Sequence, residues 1–579
     1  MKYKTTINFK AFFTDENDFT KHLENLSRED LSIEGLKSKD LKGKLDWYYD
    51  KALEWEKLYS YNEVNSDLDL ANEKYLQNKE VINRIKTSLD KVKFYLNKEI
   101  LRIEKPFTEY LEENPSLKKY YMLFYNVNQS KKHPEDSILF TKELPNISRI
   151  NSLYSTLMNV EFPSEEVTID EEKVKVSLSN YAKLMPKVSL EDKKKLAEAY
   201  FTGLSKIQKT ISGLLNMRYQ IFDDLAKEAG YQTILEHALG ENDLDLKIIT
   251  NLLKNVNANL SSLEKYYSLR KEALGLEEMH FYDGRDSKDE KKVSFDEAIS
   301  NVIEALSPLG EEYLKRLKDL IDTGVIDVYQ REHKYLGGYH FRNYIQSLIV
   351  MNSRDTLRDS FTIAHELGHA VNSSFIKENH PYNEFHFSNF LSEIASLTNE
   401  VLMEDYYLEK SNDEEEKILL LEQKINKFIV NVYTAMMWFE FEDALCDAIS
   451  KGRPLKPEEM TATYEKLYRK YNPSYTFDDY LKYGYMTRLH YFMGNYRYYN
   501  YQYATGILLA TKIANDIKNK VPGSVENYLE FLKIGGSLPT LEALKVAGFD
   551  LTDENILADG FKYFEETVNE YQKLVLKKN

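Results

Sequence analysis

The chain of 579 residues is 42% apolar and 13% aromatic, enough for a large core, and its 30% charged residues indicate a soluble surface. Its 77 Lys and Arg against 94 Asp and Glu leave a net charge of −17, which opposes general binding to nucleic acid or an anionic membrane, since phosphate affinity needs clustered basic groups. One cysteine, Cys446, excludes an intrachain disulfide framework and a cysteine-rich zinc site. The N-terminus lacks an apolar core of signal-peptide length, and no apolar run approaches the roughly 18 residues of a membrane span, so the expected setting is cytoplasmic.

Residues 1–115 read as helices with charged outer faces. The clearest runs from Val81 to Ile103, with Ile82, Ile85, Leu89, Val92, Leu96 and Ile100 on one stripe. Residues 116–190 continue in this style, with breaks expected at Pro134, Pro145 and Pro163 and short extended pieces near Val167 and Val174. From about 191, long amphipathic stretches cover Leu190–Phe222 and 243–276, interrupted near Gly230 and Gly240. The texture changes at Val325–Tyr329, Gly337–Phe341 and Leu348–Asn352, where β-branched and aromatic runs punctuated by glycine predict a small sheet. An edge strand there offers backbone hydrogen bonds to an extended peptide, although such strands are more often plain scaffold.

Then comes Thr362-Ile363-Ala364-His365-Glu366-Leu367-Gly368-His369-Ala370. At roughly 100° per residue, His365 and His369 stand one turn apart on one helix face, the spacing by which a helix presents two imidazoles to a zinc ion. Glu366 sits about a quarter-turn away, placed to act on water rather than to ligate. Phe361, Ala364, Leu367, Ala370, Val371 and Phe375 supply the apolar face, and Ser353 or Asp355 is the expected N-cap. Downstream, Phe390, Ile394, Leu397 and Val401 form a core stripe that Glu393 borders; a metal would relieve the cost of turning that carboxylate inward. Glu393 is therefore the expected third ligand, which leaves a fourth position open. Glu400, two turns on, is a candidate partner for a ligating imidazole.

Residues 413–470 read as helical. The stretch from Arg488 to Gly506 follows, dense in tyrosine, with Tyr498 and Tyr501 spaced to share a helical face. Tyrosine hydroxyls and the His490 imidazole can donate to an oxyanion, or the rings can simply build an aromatic core. Gly535-Gly536-Ser537 reads as a loop, and the last helix runs to about Leu576.

Taken in order, Gly337-Gly338-Tyr339, the segment Ile363–Ala370, Ser392-Glu393-Ile394-Ala395-Ser396 with Asn399-Glu400, the segment Tyr499–Gly506 and Gly535-Gly536-Ser537 resemble the oligoendopeptidase F group of the thimet-oligopeptidase-like zinc metallopeptidases. The resemblance covers about 190–579 well and the N-terminal part loosely. It implies a mainly α, two-lobed helical ellipsoid with a deep substrate channel, a small β-sheet beside the zinc site, and short peptides as substrates. The expected division is an N-terminal helical lobe, 1–190, and a catalytic domain, 191–579. The family also implies one zinc per chain on His365, His369 and Glu393, Glu366 as acid/base, and His490, Tyr498 and Tyr501 as substrate-carbonyl or oxyanion contacts. The competing readings are a helical zinc carboxypeptidase or dipeptidyl carboxypeptidase, which must hold a terminal carboxylate, and a non-catalytic peptide-binding protein, which has no use for the base Glu366.

Overall fold

The structure, a computed structural model, describes residues 2–129, 136–169, 171–283, 291–385 and 388–578. Helices dominate, and only two small sheets occur among the described residues. Strands β1 (Glu166–Ile169) and β2 (Glu172–Lys175) form an antiparallel hairpin. Strands β3 (Ile326–Tyr329), β4 (Tyr339–Phe341) and β5 (Leu348–Ser353) form a mixed sheet in the order β3-β5-β4, with β3 parallel and β4 antiparallel to β5. All three runs of the predicted sheet are therefore present, and β4 is an edge. Among the described residues no helix is long and apolar enough to cross a membrane.

The chain divides into two compact units that are not contiguous in sequence. The first comprises Met1–Lys131, Glu290–Lys410 and Leu509–Asp550; the second comprises Lys132–Asp289, Ser411–Leu508 and Leu551–Asn579. The expected boundary at 190/191 falls inside the second. It also falls at the start of the helix Leu190–Glu228, whose Ser189 cap marks a change of element.

In the first unit, the stripe read from Ile82 to Ile100 lies on the helix Glu73–Leu101, which begins earlier than expected because Asn72 caps it. All six stripe residues are buried. The helix Leu357–Asn379 carries both motif histidines. Its cap is neither Ser353 nor Asp355 but Thr356, whose hydroxyl accepts from the Asp359 amide while the Asp359 side chain accepts from the Thr356 amide. Ser353 and the Arg354 amide instead donate to the same Asp359 carboxylate, and Asp355 takes a left-handed backbone, φ 56°. A reciprocal capping box out-competes single caps because it satisfies two orphan donors at once.

This helix packs against Asn389–Lys410, which carries Glu393 and Glu400. Gly368 makes the approach possible. A Cβ there would stand 2.7 Å from Ser396 Cα and 3.0 Å from the Ala395 carbonyl oxygen. Asn399, fully buried, donates to the Ala364 carbonyl at 3.0 Å and accepts from the Tyr313 hydroxyl at 2.8 Å, fixing the register of the two helices. Farther along, Asn372 donates to the Leu532 carbonyl. The Gly535-Gly536-Ser537 loop proves to be a packing element: a Cβ on Gly535, φ 56°, would lie 2.5 Å from Ile376 Cγ2, and the Gly536 amide donates to the Glu384 carbonyl.

The second unit is built on the helix Leu190–Glu228, with Glu414–Phe428, Ala435–Ser450, Pro457–Tyr471 and Ala558–Lys578. Of the expected proline breaks, Pro134 lies outside the described residues, whereas Pro145 sits inside the helix Asp136–Asn159 instead of ending it. The local penalty of proline in a helix is overridden there by the tertiary setting.

Gly368→Ala should lower the unfolding free energy by about 1–3 kcal/mol, because backbone on the facing helix cannot yield cheaply. Denaturant titration measures it; an unchanged midpoint at equal slope would contradict the close approach.

Candidate metal centre

The two-histidine helix and its neighbour bring five predicted residues together: His365, Glu366, His369, Glu393 and Glu400. Each imidazole has its Nδ1 engaged. That of His365 lies 2.5 Å from Glu400 Oε1, and that of His369 lies 3.0 Å from Ser392 Oγ. Both Nε2 atoms then face Glu393, whose Oε2 lies 3.8 Å from His365 Nε2 and 3.9 Å from His369 Nε2. The Ser396 hydroxyl donates to that same carboxylate oxygen at 3.2 Å. An imidazole that donates through Nδ1–H is left with an unprotonated Nε2, the form that ligates a metal.

A second triple is also close, since one donor atom each from His365, Glu366 and His369 lie within 4.8 Å of one another. Ligands about 2.0–2.2 Å from a tetrahedral zinc are themselves about 3.3–3.6 Å apart, and the two Glu393 edges, 3.8 and 3.9 Å, are somewhat longer than that. The donor set, two imidazoles and one carboxylate around a shared space, fits a divalent ion of zinc type. The Glu366 carboxylate stands beside that space, with the His340 backbone amide near enough to favour its charged form.

The electrostatics match a site arranged around an ion. Burial works against a charge on His365, but the Glu400 hydrogen bond and the charges of Glu400, Glu366 and Glu393 outweigh it, pushing the group up to about 9. Burial, with His365, His340 and Arg342 nearby, drives His369 well below the ordinary range. Burial also raises Glu366, reinforced by Glu393 and opposed by His365. Glu393 is not hidden as its sequence position suggests: its side chain keeps 35% exposure. Its place at the site comes from position rather than burial, since it faces both Nε2 atoms.

Three neighbours escaped the sequence reading. Ser392 and Ser396 sit one turn apart on the helix of Glu393, and with Asn399 they form a polar row beside the apolar stripe, a signal available in the spacing. The third is His340 on edge strand β4, whose ring stacks on His369 with centroids 5.8 Å apart and whose backbone lies near Glu366. Gly338, just before it, has room for a methyl, the nearest atoms to an added Cβ being at 3.7 and 3.9 Å.

His490, Tyr498 and Tyr501 belong to the second unit. The shared helical face expected for the two tyrosines does not form. The helix starts at Asn500, and Tyr498 precedes it with a left-handed backbone, φ 51°. The Tyr498 hydroxyl donates to Asp443 Oδ1 at 2.8 Å. Tyr501 is buried, and among the described residues its hydroxyl has no hydrogen-bond partner. His490 pairs through Nε2 with the Tyr503 hydroxyl at 3.0 Å, and burial with nearby Arg488 lowers it to about 4.

The sequence pattern of Peptidase family M3 matches residues 187–563. Oligopeptidase PepF of Bacillus subtilis is 30% identical over 92% of this chain and 80% of its own length. An oligoendopeptidase F homolog of Borreliella burgdorferi is 29% identical over 92% and 90%. Among solved structures, one from Chlamydophila abortus superimposes with a TM-score of 0.89 at 26% identity, covering 98% of both chains. Oligoendopeptidase-F from Enterococcus faecium gives 0.71 at 24% identity, covering 97% of this chain and 98% of its own, a likeness of fold.

Glu400→Gln should weaken metal retention by about 10–100-fold, because it removes the charge that orients and polarises His365. Competition with a chromophoric chelator measures this; wild-type retention would detach Glu400 from the site.

Proposed function

The chain belongs to peptidase family M3, and on that premise we propose that it hydrolyses internal bonds of short peptides, with His365, His369 and Glu393 holding one zinc ion and Glu366 moving the proton. The observation that carries this reading is the convergence of two Nδ1-anchored imidazoles and one carboxylate, with a second, buried carboxylate beside them. A zinc ion held there supplies Lewis acidity, which lowers the pKa of water and polarises a carbonyl.

The protein's own groups do the rest. Glu366 accepts a proton at its carboxylate as water adds to the scissile carbonyl carbon, and it returns that proton to the leaving nitrogen as the C–N bond breaks. Burial favours the neutral form of this group, so the proton it receives is retained until the amine needs it. The His340 backbone amide lies near the carboxylate, so the base stands beside the sheet edge. An extended peptide lying along β4 would align its backbone with that edge, since pairing to an edge strand is driven by main-chain hydrogen bonds that any sequence can make. Glu400 keeps His365 protonated at Nδ1, and Ser392 holds the His369 ring in one orientation.

His490 and Tyr501 are assigned to the substrate's carbonyl oxygens, by the chemistry of their groups and the family resemblance. Tyr498, whose hydroxyl is taken by Asp443, is better read as an anchor for that stretch. Short substrates are what the family resemblance implies, and the 7% exposure of the Glu366 residue is in keeping with it. A cytoplasmic setting is in keeping with a single buried thiol, Cys446.

Glu366→Gln should keep its zinc and lose turnover of an end-blocked peptide by at least about 100-fold, the scale of general-base catalysis. Turnover and metal content are read on one sample; normal activity overturns the assignment. In a series of end-blocked peptides, internal cleavage should proceed and cease above a length limit. Cleavage that requires a free C-terminus would make the enzyme a carboxypeptidase.

A further inference from the structure

Arg218, on the helix Leu190–Glu228, is fully buried, yet among the described residues its guanidinium has no carboxylate hydrogen-bonded to it. Its Nη1 donates to Asn151 Oδ1 at 2.7 Å. Its Nη2 is shared among three backbone carbonyls, those of Met493 at 3.3 Å, Gly494 at 3.1 Å and Tyr496 at 3.1 Å. Asn151 closes the arrangement by donating to the Gly494 carbonyl at 2.9 Å. On the other side of the same turn, Glu442 Oε1 accepts from the Tyr498 amide at 2.6 Å and from the Tyr219 hydroxyl at 2.7 Å.

These contacts fall on a segment with no helix or strand to satisfy its backbone. Two of its residues are left-handed, Gly494 with φ 47° and Tyr498 with φ 51°. A tyrosine in that region is strained and persists only where its surroundings over-determine it. The segment is flanked by His490 on one side and Tyr501 on the other. Its shape therefore sets where those two side chains point, and contacts to a reacting carbonyl lose their effect with displacements of about 1 Å.

We propose that Arg218, with Asn151 and Glu442, is a positioning residue for the His490–Tyr501 stretch, holding the 493–498 turn in the one conformation that presents both groups to substrate. The inference rests on the reading of His490 and Tyr501 as substrate contacts. A planar guanidinium suits the task, since its rigid fork reaches several acceptors that a lysine would meet one at a time. The apolar contacts of the helix need no such group. What Arg218 adds is the conformation of the turn.

The test is a double-mutant cycle between Arg218→Met and Tyr501→Phe on an end-blocked peptide, with zinc content measured throughout. Arg218→Met should lower kcat roughly tenfold with KM within about threefold and zinc unchanged, while Arg218→Lys recovers part of the loss. The double variant should fall no more than about twofold below the weaker single variant, because each acts through the same contact. A wild-type kcat in Arg218→Met, or a double variant whose loss is the product of the two single losses, overturns the proposal. If Arg218→Met does not fold, Asn151→Ala replaces it in the cycle under the same criteria. Wild-type constants in both His490→Ala and Tyr501→Phe would overturn the substrate-contact reading itself, a result distinct from a failed cycle.

Discussion

The candidate metal centre depends on how closely two helices can approach at Gly368. Any side chain there would meet the backbone of Ser396 and Ala395 on the facing helix. Without one, Asn399 reaches the Ala364 carbonyl, and three consequences follow from that single register. Glu393 faces both Nε2 atoms, Ser392 meets the Nδ1 of His369, and Glu400 meets the Nδ1 of His365. A longer interhelical distance would break all three together, because they lie on one face of one rigid element. The far end of the two-histidine helix is held in the same spirit, by glycine at position 535 packed against Ile376.

The charge pattern follows from this packing. Glu393 faces both rings, 3.8 Å from one Nε2 and 3.9 Å from the other, whereas Glu400 serves His365 alone and His340 and Arg342 stand near His369. The same two rings, 4.8 Å apart and nearly perpendicular, therefore differ in how readily each takes a proton. A cation held between them would bind both as neutral imidazoles.

The grouping of these residues was legible because a helix has a fixed period. Spacing alone put His365 and His369 on one face and Glu393 beside an apolar stripe, and the helical fold and small sheet followed from equally local patterns. Three things were not legible. The choice of Thr356 as cap depended on a reciprocal bond to Asp359, which no single residue type announces. The conformation at Tyr498 is imposed by Glu442 and Asp443, more than 50 positions away, so helical extrapolation through it fails. The two spatial units interleave along the chain and therefore leave no boundary in composition. Tyrosine richness was no guide either, since buried rings such as Tyr219, Tyr313 and Tyr528 are as common in the core as in the stretch that carries the proposed contacts.

The central claim is that one metal ion is held by His365, His369 and Glu393, with Glu366 left free to carry a proton. Anomalous diffraction recorded on both sides of the zinc absorption edge tests it directly. The account predicts a single strong peak at bonding distance, about 2.0–2.2 Å, from both Nε2 atoms and a Glu393 oxygen. A peak bonded to Glu366 in place of Glu393, or one located away from these helices, would contradict it.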